Sequence, residues 1–141
     1  RGGRRTVIMF TSSDLALIEG IAQIAAPNEA CGLLEGTTGE DEYTVTTVHP
    51  SDNLASDPAD MFEVDPRLLL RLQRELRDGP TDMIGIYHSH PRGPAAPSAT
   101  DLAMAWQPEL AWVITALTPT PHTAAFQLVG ESFEPLELSV T

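Results

Sequence analysis

Apolar residues follow two rhythms along this chain, and polar clusters punctuate them. After Thr11-Ser12-Ser13, which offers N-cap oxygens, Leu17, Ile18, Ile21, Ile24 and Ala25 recur at helical spacing. The pattern predicts a helix of about a dozen residues with these side chains as its buried face, ended by Ala26-Pro27-Asn28. Pro66 at a first helical position opens a second helix over Arg67–Asp78, with Leu68, Leu69, Leu72 and Leu76 as its buried stripe; Gly79-Pro80 stops it. A short third helix is expected from Ser98 to Trp106.

The other rhythm is that of strands. Thr6–Phe10 reads as an edge strand, Ala30–Leu34 as a buried strand with Gly36 opening a turn, and Tyr43–His49 as a half-buried alternating strand. Thr37–Glu42 is a polar, hairpin-like connection, and Pro50–Asp60 an irregular loop. Met61–Val64 is a further short strand. Met83–His88 is apolar and β-branched enough for a central position, Leu110–Leu117 is a buried strand, His122–Val129 follows a Thr/Pro turn, and Leu136–Val140 is a last edge candidate. Helices interleaved with strands predict an α/β sandwich around a mixed sheet. With no internal repeat, residues 1–141 are expected to form one domain, with 1–5 as a flexible tail.

Composition narrows the function classes. A chain of 141 residues with 42% hydrophobic content can fill a core of its own. No apolar run approaches the length of a membrane-spanning helix, and RGGRR is not followed by the apolar stretch of a secretory signal. The formal charge of −12 argues against nucleic acid as a partner. The one cysteine, Cys31, excludes an internal disulfide and fits a cytoplasmic location. All eight cationic residues are Arg. Arg67, Arg71 and Arg74 form one stripe on the second helix, most simply a solvated face opposite the leucines, alternatively a dock for an acidic partner.

Chemistry concentrates in Tyr87–Asp101, YHSHPRGPAAPSATD. His88 and His90 are two apart, so on a strand both imidazoles face the same side and can meet one ion. Asp101 falls in the first turn of the element that follows, where its carboxylate could close the set. Two His and one carboxylate with an open fourth position is the layout of a catalytic zinc site. Ser98-Ala-Thr-Asp101 is equally a capping box, with Ser98 at N-cap and Asp101 at N3, and the two readings are compatible. Two carboxylates compete for the role of base, Glu29 and Glu35, and spacing alone leaves them even.

The combination of Glu29–Leu34 (EACGLL) with His88-Ser89-His90-Pro91, Ser98 and Asp101 resembles the JAMM, or MPN-plus, metallopeptidases, over about Leu15 to Val129. The resemblance implies a cytidine-deaminase-like mixed sheet with helices on both faces. It implies one zinc, with a bound water, held by His88, His90 and Asp101, Glu29 as general acid/base, and Ser98 as an oxyanion donor. It further implies a zinc peptidase or isopeptidase acting at the C-terminal Gly-Gly of a ubiquitin-like or sulfur-carrier protein. Alternatives are a cell-wall or phage-type peptidase of the same superfamily and a non-catalytic MPN scaffold. The related RadC-like family shares the histidine spacing but suits a less acidic chain. A cytidine deaminase is excluded, because the chain has no P-C-x-x-C ligand pair.

The remaining candidates have plainer readings. Cys31, inside an apolar strand, is expected to be a small buried hydrophobe and not a nucleophile. His49 and His122 are expected to be surface or satisfied histidines. Trp112 and Trp106 are expected in the core, Trp106 alternatively at the rim of the substrate groove.

Overall fold

A computed structural model describes residues 4–105 and 109–141 of the protein. Among the described residues seven strands and three helices follow one another in the order β1 (Val7–Phe10), α1 (Ser12–Ala25), β2 (Cys31–Thr38), β3 (Glu42–Ser51), α2 (Pro66–Glu75), β4 (Asp82–His90), α3 (Ala99–Met104), β5 (Ala111–Ala116), β6 (His122–Val129) and β7 (Ser132–Val140). The strands form a mixed sheet in the order β1-β3-β2-β4-β5-β6-β7, which closes on itself. β2 pairs antiparallel with β3 and β4, β4 runs parallel to β5, and β5, β6 and β7 form an antiparallel meander. No helix among the described residues is long and apolar enough to cross a membrane.

Closure corrects two expectations. Thr6–Phe10 and Leu136–Val140 have the sequence of edge strands, yet β1 lies parallel between β3 and β7, and β7 between β6 and β1. β1 and β7 seal the ring, and their backbone groups are paired instead of exposed. Next to this seam Arg5 donates its backbone N–H to Gln127 Oε1 and its Nε–H to Gly39 O, and Arg4 pairs with Glu134.

Gly36 does not open a turn. β2 runs on to Thr38, and the turn comes at Gly39, whose N–H donates to Glu42 O at 2.9 Å. The register of β2 slips around Glu35, against β3 between Glu35 and Gly36 and against β4 between Leu34 and Glu35. Such a bulge reverses which side chains face which side of a sheet. On β4 the slip passes over Ile84, which joins the main core with Ile8, Phe10, Leu34, Tyr43 and Val113. Met83 and Ile86 then share a cavity lining with Leu33. Met61–Val64 is likewise no strand: only Val64 pairs, in a single bridge to Asn53.

The helices start where their capping residues dictate. Thr11 Oγ1 accepts from Asp14 N at α1, and the Asp65 carboxylate accepts from Arg67 N at α2, where Pro66 opens the first turn. The buried face of α1 is narrower than expected: Ile18 packs into the main core and Ala22 is buried, while Leu17 and Ile24 are exposed; Leu72 is the fully buried residue of α2. A second cluster brings Cys31, Phe62 and Trp112 together with Ile86, Phe126 and Phe133, on the face that carries His88. Trp112 is thus a core residue as expected, while Trp106 lies outside the described residues.

Two glycines separate close approach from mere flexibility. A Cβ on Gly36 would collide with the Thr44 carbonyl oxygen and with Ile84, whereas one on Gly20 in α1 meets nothing. Gly36→Ala should therefore destabilise the fold by more than about 3 kcal/mol, beyond ordinary overpacking, because a backbone oxygen cannot step aside. Gly20→Ala should stabilise it by about 0.5–1 kcal/mol. Urea midpoints of the two variants check both signs.

Candidate metal centre

β4 sits between β2 and β5, with His88 in register with Cys31 on one side and Ile114 on the other. That register buries His88 completely and carries His90, two residues on, to the end of the same face. Ser89, pointing the other way, accepts the Ala30 N–H at its Oγ (2.7 Å) and donates its own N–H to Ala30 O (3.0 Å). This clamp fixes the chain just after Glu29. Glu29 is anchored further by its N–H to Pro58 O and by Asn53 Nδ2, which donates to Glu29 O.

α3 delivers the carboxylate. Ser98 Oγ accepts from Asp101 N at 3.0 Å, and Asp101 Oδ2 accepts from Ser98 N at 2.9 Å, so both halves of the expected capping box are present. The same Oδ2 lies 3.1 Å from His88 Nε2 and 3.1 Å from His90 Nε2, and the two Nε2 atoms are 3.2 Å apart. The cap and the cluster therefore share one oxygen, and neither reading of Ser98-x-x-Asp101 displaces the other.

This triangle fits a metal ion. Ordinary zinc bonds to imidazole and carboxylate set tetrahedral edges of about 3.3–3.5 Å, close to the three observed sides. His90 Nδ1 faces Pro94 O at 2.9 Å, and a carbonyl only accepts, so Nδ1 carries a proton and Nε2 is the nitrogen left to meet a metal. Glu29 supplies a second carboxylate, with Glu29, His88 and His90 presenting donor atoms within 4.8 Å of one another. Two trios thus share the histidines. Asp101 belongs to the tighter one, while Glu29 Oε1 is buried with no hydrogen-bond partner in the protein.

Environment pushes these groups apart. Burial is the main influence on Glu29 and lifts its carboxyl to about 7; His90 pulls it down, while Asp101 and Asp60 push it up. Burial acts on Asp101 in the same direction, but hydrogen bonds with His88 and His90 together with their charge hold it far below the carboxylate range. Burial is the main influence on His88 and lowers its pKa, against the pull of Asp101. For His90 burial opposes the charge, and Asp101, the Pro94 carbonyl and Glu29 outweigh it and raise the pKa.

A cleft of about 290 Å³ opens onto the cluster, lined by Glu29, Asp60, His90, Arg92 and Ser98 among others. Ser98 Oγ accepts from Asp101 N and keeps its own hydrogen for an acceptor in the cleft. Arg92 Nη2 donates to Asp60 Oδ1 at 2.7 Å, joining the loops on either side.

The competing candidates are engaged elsewhere. Glu35 accepts from Thr81 Oγ1 at 2.6 Å and pairs with His49 Nε2 at 2.8 Å, so His49 is a satisfied histidine. His122 Nδ1 donates to Thr120 O. Cys31 is 1% exposed, and burial pushes its thiol up to about 12, which disarms it as a nucleophile. Arg67, Arg71 and Arg74 are all exposed, and the first two pair with Asp65 and Glu75 on the helix itself. Sequence reasoning missed Asn53 and Phe62, which both touch this region. Their signals were an Asn in a polar loop and a lone Phe after it, neither distinguishable from ordinary loop and core residues.

Known proteins share this architecture. A family model described as prokaryotic homologs of the JAB domain matches residues 15–129. The chain is 34% identical over 114 residues to a desampylase of Haloferax volcanii, covering 81% of this chain and 79% of the relative. It is 33% identical over 96 residues to a CysO-cysteine peptidase of Mycobacterium tuberculosis, covering 68% of this chain and 63% of that relative. A solution structure of a Desulfitobacterium hafniense protein superposes with a TM-score of 0.84 at 33% identity, covering 96% of this chain and 93% of that one.

Glu35 generates a pH test. Hydrogen bonds from Thr81 first, then His49, lower its pKa in the folded state. The unfolded chain then binds more protons than the folded one between the two pKa values, so the contribution is full above the ordinary glutamate range and fades as pH falls. Glu35→Gln should be less stable than wild type at pH 7, and the gap should close below about pH 4. Urea midpoints across that range measure it.

Proposed function

The chain belongs to the prokaryotic homologues of the JAB domain, and from that membership we propose that it is a zinc-dependent peptidase or isopeptidase. Its substrates are ubiquitin-like or sulfur-carrier proteins, cut at the amide bond after a C-terminal Gly-Gly. The observation that carries the reading is the triangle of His88 Nε2, His90 Nε2 and Asp101 Oδ2 beside the unpartnered Glu29 Oε1. The desampylase and the CysO-cysteine peptidase support the substrate class, since both names denote release from a small protein modifier or carrier.

His88, His90 and Asp101 would hold the ion. When bound there, zinc supplies Lewis acidity and makes water acidic enough to ionise near neutral pH. Glu29 takes a proton from the attacking water and returns it to the leaving amine nitrogen as the carbon–nitrogen bond breaks. A carboxyl lifted to about 7 suits a group that must both accept and give. Ser98 Oγ–H donates to the carbonyl oxygen as it gains negative charge, a contribution of about 3 kcal/mol where such donors have been removed elsewhere. Glycine suits the residues before the cut, because a chain without Cβ atoms comes close to a recessed centre. The contacts of Ile18 with the main core and of Leu69 with the Leu33–Ile86 cavity also support helices on the two faces of the sheet.

The test is intact-mass analysis of sulfur carriers extended beyond Gly-Gly, together with zinc content. Wild type should cut directly after Gly-Gly. Glu29→Gln should keep zinc and lose turnover by about 10²–10⁴-fold, and Asp101→Ala should lose both. Intact substrates with fully zinc-loaded wild type would sink the substrate class, and zinc-free Glu29→Gln would move the third ligand from Asp101 to Glu29.

A further inference from the structure

An imidazole that binds a metal is normally oriented by a hydrogen bond from its second nitrogen. His90 has that bond, Nδ1–H to Pro94 O at 2.9 Å. His88 does not, for its Nδ1 is buried with no partner in the protein. Its ring is held by aromatic surfaces. Phe62 stacks on it with centroids 4.2 Å apart and planes inclined by 17°, and Trp112 meets it edge-on at 5.6 Å and 87°. Phe62 and Trp112 brace each other at 5.9 Å. Stacking fixes the plane of a ring, and within that plane His88 Nε2 points at His90 and Asp101.

Phe62 stands on no strand, so something else must hold it. The Asn53 carboxamide does. Its Oδ1 accepts from Glu63 N at 3.0 Å and its Nδ2 donates to Met61 O at 2.9 Å, gripping the backbone on both sides of Phe62. The same Nδ2 donates to Glu29 O at 3.0 Å. Leu54 N adds a bond to Glu63 O at 2.9 Å. One side chain thus ties the stacking ring to the backbone of Glu29.

We propose that Phe62, presented by the Asn53 carboxamide, is a positioning residue that sets the His88 ring plane in place of the missing hydrogen bond. The inference rests on the reading of His88 as a metal ligand. Asn53 couples that plane to the placement of Glu29, so a loop outside the sheet controls two parts of the site.

The experiment titrates metal-free protein with zinc against a chromophoric chelator, and with Co(II) followed by its visible absorption. Phe62→Leu should bind zinc at least about tenfold more weakly, in the range typical of lost outer-shell support, with shifted cobalt bands. Phe62→Tyr, which keeps the stacked plane, should restore both. Asn53→Asp, which loses the donors to Met61 O and Glu29 O, should weaken zinc in the same direction, and it carries the test if Phe62→Leu does not fold. Wild-type zinc affinity and unshifted cobalt bands in the folded variants overturn the inference while leaving the metal centre intact. Wild type that takes up no zinc overturns the metal reading itself, and this inference with it.

Discussion

Asp101 Oδ2 accepts the Ser98 N–H and lies within 3.1 Å of both histidine Nε2 atoms, so one buried oxygen joins α3 to the end of β4. Three electron-rich atoms this close repel unless a proton or a metal ion stands among them, and the surrounding elements bring them together. His88 is locked by the register of β4 between β2 and β5, and Asp101 is locked by its own helix cap. The cap also explains why a helix as short as Ala99–Met104 persists. Its first turn is held by two side-chain bonds and by a carboxylate at the positive end of the backbone dipoles.

The sheet separates what must be rigid from what must be reachable. One set of alternating residues, Leu34, Tyr43, Tyr87 and Val113 among them, fills the main core. The other carries Cys31, Ile86, His88 and Trp112. The slip at Glu35 lets a single strand serve both ends of this arrangement. It turns Ile84 into the core while Met83 and Ile86 stay beside Leu33. Gly32 serves the same end, since the Tyr87 ring occupies the space its side chain would need.

Legibility in the sequence followed the range of the interactions involved. Two histidines on one strand face, a capping box four residues long and the leucines of α2 at helical spacing are local patterns, and each appears in the structure where its spacing placed it. What escaped depends on partners far along the chain. Thr6–Phe10 looks like an edge because nothing local reveals that β7, more than a hundred residues on, will pair with it. Gly36 looks like a turn because its real constraint is the carbonyl of Thr44 on a neighbouring strand. Met61–Val64 has the apolar content of a strand, but Asn53 captures its backbone first. The choice between Glu29 and Glu35 was also undecidable by spacing. Thr81 and His49 engage Glu35, while Glu29 Oε1 is buried with no partner in the protein, and these contacts are what support the proposed role of Glu29.

Two carboxylates beside the same histidines could in principle exchange roles, and what prevents it is the neighbours each was given. Both are buried, and burial alone would raise both pKa values. Asp101 receives a backbone N–H and two imidazoles, partners that favour only the charged form, and it stays ionised. The Glu29 side chain receives no such bond at Oε1 and sits near two further carboxylates, Asp101 and Asp60, so its proton is held near neutrality. Opposite displacement of two nearby acids is the arrangement on which the proposed division between charge-holding and proton transfer rests. The division is built before any ligand arrives, because it resides in the Ser98 cap, the Ala30–Ser89 clamp and the Asn53 carboxamide, which fix where each carboxylate stands.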